Sequence, residues 1–319
     1  MTSTAQEYAA FAVRQAHGQS PCFEEWALHV AQDDQVLRRL AELPEPKRQP
    51  NLVFAAARWH GVQAGPYSTL RRSLLDDWAA IKATILKRST QTNEAGRCAT
   101  LLPLLSQVSG PVALLEVGAA AGLCLYSDRY SYRYSDGTVL HPASGPSDVE
   151  LTCEVSGNVP LPTSLPQVVW RAGIDLNPLD VRDDEDTAWL QTLVWPEQEH
   201  RRRRLAAAIE IARGDPPVLV RGDLNETAGS LAAEAPAGTT LVIFHSAVLA
   251  YLGPEDRAAF TRTVSDLDAH WISNEGPRVL PELTPTGASF PEGASFVTAL
   301  DGQARALTGP HGQYVHWLE

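Results

Sequence analysis

Cysteine is scarce in this chain, and the four present, Cys22, Cys98, Cys124 and Cys153, stand far apart with no Cys-x-x-Cys pair. That pattern indicates neither a zinc site nor a disulfide framework, and leaves reduced, buried thiols as the default. Basic residues are in deficit as well: 26 Lys and Arg against 38 Asp and Glu give a formal net charge of −12. Such a balance disfavours nucleic acid or an anionic membrane as partner. The one basic run, Arg201 to Arg204, follows Glu197 and Glu199 and reads as a solvated helix face. Long apolar runs are missing, so no segment reads as a membrane span. The opening Met-Thr-Ser-Thr-Ala-Gln-Glu lacks the basic and apolar regions of a signal peptide. A cytoplasmic protein is expected. Several catalytic signatures are absent too: Gly-x-Ser-x-Gly, His-Glu-x-x-His and Gly-x-Gly-x-x-Gly. His311 and His316 would point to opposite faces of a strand, so no metal site is expected.

What is present is an ordinary globular composition, 319 residues with 44% hydrophobic and 20% charged, enough for one or two domains. Residues 1–107 read as helices. Tyr8, Phe11, Ala12 and Ala16 recur at helical spacing, and Pro44, Pro46 and Pro50 punctuate the stretch before a long helical run over 67–86. This part is expected to be an all-helical cap that acts as a lid. From residue 108 to 319 short β-rich runs at 112–117, 168–174, 218–220, 241–244 and 271–272 alternate with helical stretches, as in a parallel sheet wrapped by helices. Runs at 295–300 and 314–318, with Asp301-Gly302 between, suggest a terminal antiparallel hairpin with a longer loop. The sum is a seven-stranded, Rossmann-like α/β sheet. Residues 126–167, rich in Tyr, Ser, Gly and Pro, read as an insertion with an alternating run at 149–155.

The most informative stretch is Val112-Ala-Leu-Leu-Glu-Val-Gly-Ala-Ala-Ala-Gly-Leu123. An apolar strand ends in Glu116, turns at Gly118 and meets Gly122 where a helix is expected to begin. Open α/β sheets hold nucleotide-like ligands at such turns. A pyrophosphate there would be repelled by Glu116, whereas a ligand with an ammonium group would be attracted. Later strands end in Asp175, Asp223, Phe244-His245-Ser246 and Ser273-Asn274-Glu275. An acid at the second strand end can accept hydrogen bonds from both ribose hydroxyls, and one at the third can meet an adenine amino group. Either acid can also simply cap a turn or helix. His245 is the candidate general base, or else a structural histidine, and Tyr251 beyond it either faces the site or packs. Asn93 and Arg97, four apart, would share a helix face just before the first strand. They would bind a carboxylate of cofactor or substrate, or form a surface network.

The spacing Glu116-x-Gly118-x-x-x-Gly122 resembles the first motif of class I S-adenosylmethionine (SAM)-dependent methyltransferases, with Ala120 where a middle glycine is often found. The resemblance covers residues 110–319. It implies S-adenosylmethionine as cofactor, held by Glu116, Gly118, Ala120, Gly122, Asp175, Asp223 and Phe244, and a small-molecule acceptor. Asp175 stands well beyond the roughly twenty residues that usually separate the turn from the ribose acid. The insertion accounts for the gap, and Glu154 is its rival. The Asp/Asn-Pro-Pro-Tyr signature of amide and base methylation is lacking. A non-catalytic binder of the same fold is the alternative, and an NAD-dependent oxidoreductase ranks third. Segments across the chain also resemble an uncharacterised bacterial family, domain of unknown function 2332. They are Arg88-Ser-Thr-Gln-Thr-Asn-Glu94 with Gly96-Arg97-Cys98, Leu115-Glu-Val-Gly118, Gly173-Ile-Asp-Leu-Asn-Pro-Leu-Asp180, Trp195-Pro-Glu-Gln198, Val220-Arg-Gly-Asp223 and Phe244-His-Ser-Ala-Val-Leu-Ala-Tyr-Leu252. This resemblance implies that the helical and α/β regions recur together, and implies no activity.

Overall fold

A computed structural model describes residues 3–91, 93–285 and 295–318. Thr92, inside one of the family-like segments, lies outside the described residues. The chain divides into two compact units, Met1–Thr92 with Asp184–Arg203, and Asn93–Asp183 with Arg204–Glu319. The boundary expected at 107/108 therefore falls earlier, and a later stretch joins the helical unit. The helix Cys98–Leu105 explains the shift, because all eight of its residues are buried. A helix apolar on every side is a core element, here of the α/β unit. Pro103 sits inside it without breaking it. Proline at that position leaves the Ala99 carbonyl without its helical donor. The Tyr134 hydroxyl supplies one at 2.9 Å.

The first unit is helical, as its periodicity predicts. Its helices include Pro21–Val30, started by the Ser20 hydroxyl that accepts from the Phe23 amide, and Asp34–Leu40, capped by Asp33. Pro50–Trp59, Tyr67–Asp76 and Trp78–Lys87 follow. Their core gathers Tyr8, Phe23, Trp26 and Phe54 with Trp189 from the later Asp184–Leu193 helix. That later stretch is tied in by two arginines, Arg88 buried and Arg58 half-buried. Arg88 lies between the Trp59 and Trp189 rings, about 6 Å from each centroid, and donates to Asp186 at 2.6 Å and Glu185 at 2.5 Å. Arg58 donates to the Thr192 and Val194 carbonyls, both at 2.7 Å.

The second unit holds every strand described: β1 (Val112–Val117), β2 (Ser131–Tyr134), β3 (Val139–Leu140), β4 (Glu150–Ser156), β5 (Val168–Asp175), β6 (Val218–Arg221), β7 (Thr240–Ser246), β8 (His270–Glu275), β9 (Phe296–Leu300), β10 (Gln303–Thr308) and β11 (Tyr314–Trp317). They form one sheet in the order β3-β2-β4-β11-β10-β9-β8-β7-β1-β5-β6. The five runs predicted as parallel strands are β1, β5, β6, β7 and β8, and all pair in parallel. The expected count of seven is corrected to eleven. Asp301 and Gly302 both have positive φ, which closes a two-residue turn between β9 and β10. The hairpin is therefore tight, and the 314–317 run is a third strand beside it. The insertion contributes β2, β3 and β4, and β4 pairs in parallel with β11. A segment leaving the middle of the sheet thus extends its far end.

Register fixes which side chains share a face, since alternate residues of a strand point opposite ways. Ala113, Leu115 and Val117 of β1 pack in a core with Leu231 and Phe260 from the helices Leu224–Ala232 and Pro254–Ser265. Glu116 points to the other face. Its register partners are Gly173 on β5 and Phe244 on β7, which places Asp175 on the Glu116 face as well.

Candidate functional site

Chain order reverses at β1, whose neighbours β5 and β7 leave in opposite directions along the sheet. The crevice beyond the carboxyl ends of such strands is where open α/β sheets bind ligands. The turn after β1 is locked there by its own surroundings. The Gly118 and Ala119 amides both donate to the Ile174 carbonyl, at 2.8 and 3.0 Å, and the Ala120 amide to Asp175 Oδ2 at 2.9 Å. Gly122 donates to the Ala119 carbonyl at 2.6 Å. Asn93 clamps both ends of the turn, its Nδ2 donating to the Ala119 carbonyl and its Oδ1 accepting from the Leu123 amide, each at 2.9 Å. The Tyr130 hydroxyl, from the insertion, donates to the Leu123 carbonyl.

Two backbone positions show why small residues stand here. Gly118 has φ +71°, and a Cβ on it would lie 2.3 Å from a Val248 methyl in the loop after β7. Ala120 holds φ +50°, a left-handed conformation that costs an alanine about 1–2 kcal/mol. It is kept by the Asp175 carboxylate on its amide and by the Leu179 amide on its carbonyl. Gly122 also has positive φ, yet the helix expected to begin there is only a short 3-10 turn, Leu123–Tyr126. With these amides taken and no full helix behind them, the turn offers little to a phosphate.

Glu116 is the outstanding group of the site. It is 4% exposed, and its Oε2 is buried without a hydrogen-bond partner. Burial pushes its carboxyl well above the usual carboxylate range, helped by the Cys124 thiol and opposed by Arg97, with the Asp175 carboxylate raising it further. Arg97 is itself buried, donating from Nη1 to the Ser246 carbonyl at 2.9 Å and from Nε to the Pro310 carbonyl at 3.0 Å. Asn93 and Arg97 thus both reach the strand ends. They do not share a helix face: Asn93 precedes the 3-10 turn Ala95–Arg97. Asp175, half-buried, also accepts from the Asn177 amide at 2.7 Å, so it shapes the turn whatever else it binds.

Other expected site residues fall elsewhere. His245 pairs in register with Val117 and so lies on the face opposite Glu116, fully buried beside Phe260. The Trp271 indole donates to its Nε2 at 3.1 Å, so that nitrogen is the acceptor and Nδ1–H donates to Glu275 Oε1 at 2.8 Å. Both ring nitrogens are occupied and no surface remains for an acceptor to reach, which corrects the general-base expectation. Asp223 is exposed and caps the Leu224–Ala232 helix by accepting from the Asn225 amide at 2.8 Å. Of its two expected roles, the structure shows the helix cap. Phe244 is 2% exposed and packs within the sheet on the Glu116 face. Tyr251 is 75% exposed, in the loop after β7. Glu154 lies on β4 at the far end of the sheet, paired with Tyr314 of β11, which removes it as rival to Asp175.

Sequence reasoning passed over Glu275. Its Oε1 accepts from His245 and from the Val248 and Leu249 amides, at 2.8 to 3.0 Å, and so fixes the loop that carries Ala247 at φ +58°. Its burial would raise the carboxyl, but the hydrogen bonds from His245 and the two amides hold it below the usual range. Beside it Asn274 accepts from Thr298 and Thr308 and donates to Ser246, all four buried. The signal was there: Ser273, Asn274 and Glu275 continue an apolar strand and must find partners once buried. Among the described residues no group of three His, Cys, Asp or Glu is placed to hold a metal, and no helix is long and apolar enough to cross a membrane.

The chain is a mixed α/β protein whose strand order reverses at the central strand of its sheet. It belongs to the bacterial family described as "uncharacterized protein conserved in bacteria", DUF2332, whose model matches residues 5–317. No curated protein matches the sequence.

Proposed function

We propose that the protein is a SAM-dependent methyltransferase acting on a small molecule. One observation carries the reading: at the end of the central strand, beside a turn whose amides are taken, a buried carboxyl oxygen lacks a partner. Such a place calls for a cation and repels a phosphate, which disfavours a dinucleotide. SAM brings an ammonium group and, when bound, supplies a methyl group on a positively charged sulfur. Five parallel strands in the order β6-β5-β1-β7-β8, with an antiparallel strand next to β8, support a methyltransferase-type core. The residues present fit the cofactor at three points. Glu116 would take the ammonium group. Asp175, on the same face of the sheet, would take the ribose hydroxyls. Leu176, 71% exposed next to it, offers an apolar surface for a planar base.

The chain's own part is to bind and orient, since His245 has no nitrogen free to move a proton. Tyr251, exposed on the loop after β7, would contact the acceptor. The same sealing of His245 favours, as the second reading, a protein that binds the nucleoside without turnover. Calorimetry against SAM, S-adenosylhomocysteine, NAD and ATP separates these classes. Binding of the first two alone is expected, and Asp175→Ala should weaken it by about 1.5–3 kcal/mol. Selective binding of NAD or ATP would end the reading. A methyl-transfer screen then distinguishes enzyme from binder.

A further inference from the structure

We propose that Glu116 is a proton-for-cation exchange site: its carboxyl carries a proton in the free protein and releases it to solvent when a ligand's ammonium group takes its place. The inference rests on the cofactor reading above and specifies the chemistry by which that site accepts its ligand. Its basis is the set of groups around the carboxyl. Oε2 is buried with no donor. Asp175, on β5, is a second acid on the same face. Cys124, from the turn after β1, presents a thiol, and its own thiol is raised by the hydrogen bond with Cys98 and by burial. Tyr130, from the insertion, feels Glu116 as a nearby acid and is held neutral by burial. Arg97 is the cation acting on the carboxyl, yet its Nε and Nη1 are already given to the Pro310 and Ser246 carbonyls. The titratable groups that act on Glu116 are thus an acid, a neutral thiol and hydroxyl, and an arginine two of whose nitrogens are given to carbonyls. An ionised carboxylate in that setting lacks the partners that buried charge requires, and a proton supplies the missing neutrality. A ligand ammonium supplies it instead, with the added hydrogen bonds of a charged pair.

The exchange gives the site a distinctive pH response. Where Glu116 is protonated in the free protein and the ligand amine is charged, each bound ligand displaces one proton, so affinity rises about tenfold per pH unit. The experiment has two arms. Infrared spectra of the ligand-free protein should show a neutral-carboxyl band that is lost in Glu116→Gln. Calorimetry with S-adenosylhomocysteine at pH 6, in two buffers of different ionisation heat, should report close to one proton released by the wild type and close to none by Glu116→Gln. The wild-type arm requires no variant to fold. Absence of the band, or equal binding heats in both buffers, overturns the exchange and leaves the cofactor reading standing. No heat with either SAM or S-adenosylhomocysteine overturns both.

Discussion

Two buried glutamates end neighbouring parts of the same sheet, and they titrate in opposite directions. Glu116 closes β1 and Glu275 closes β8, each almost wholly removed from solvent. Burial raises both carboxyls, but only Glu116 ends above the usual range, while Glu275 ends below it. The difference lies in the donors. Glu275 receives an imidazole N–H and two backbone amides on one oxygen. Glu116 faces a thiol and a second acid instead, while the Oε2 of each glutamate receives nothing. Depth does not decide the charge of a buried acid; the donor count does. Glu275 is anchored through one oxygen and holds a loop. Glu116 has no such anchor among the described residues, and a buried acid without one points to a ligand.

The largest effect should come from removing the anchored acid, Glu275. Glu275→Ala strands His245 Nδ1–H and the Val248 and Leu249 amides, and should cost about 3–5 kcal/mol in denaturant unfolding. Glu275→Gln keeps one acceptor and should cost less than half of that. A cost below about 1 kcal/mol for the alanine variant would show that the loop after β7 does not depend on this carboxylate.

The pH dependence sharpens the contrast. Glu116, raised in the folded state, contributes stability that is full below its unfolded value near 4.5 and is lost as pH climbs toward the folded value. Glu116→Gln should therefore gain on the wild type as pH rises above about 4.5, by up to about 1.4 kcal/mol per pH unit. Glu275, lowered in the folded state, contributes stability that is present above about 4.5 and lost as pH falls through its folded value. The deficit of Glu275→Gln should shrink in acid. Unfolding curves of both variants between pH 3 and 8 test the pair, and parallel profiles would refute the difference.

The Glu116 half of this contrast was legible in advance, and the missing part has a physical reason. The apolar run before Glu116, the turn at Gly118 and the acid at Asp175 mark the central strand and its crevice from the sequence alone. What spacing does not carry is the face of each side chain across strands. His245 looked like a base because it ends a strand, but its face follows from its register with Val117. Asp223 could be read as a ligand acid or a helix cap, two roles that share one residue type and one position, and the structure shows the cap. The insertion offered only an alternating run at 149–155. Its β4 pairs with the last strand described, a contact between distant segments that no local pattern encodes. The helix Cys98–Leu105 was grouped with the helical region because it is a helix; its all-round burial assigns it to the sheet.

The smallest effects concern the two strained alanines, one on each side of the crevice. Ala120→Gly and Ala247→Gly each relieve a left-handed conformation, against the greater freedom of glycine in the unfolded chain. Each should stabilise by about 0.5–1 kcal/mol in thermal unfolding. A loss in either would show that its methyl group packs to better effect than its backbone is strained.

The most direct test of the central claim is a crystal structure with S-adenosylhomocysteine bound. The account predicts the ligand in the crevice beyond β1 and β5, its ammonium group against Glu116 and its ribose hydroxyls on Asp175. A ligand bound elsewhere, with the Glu116 oxygen still unpartnered, would contradict it.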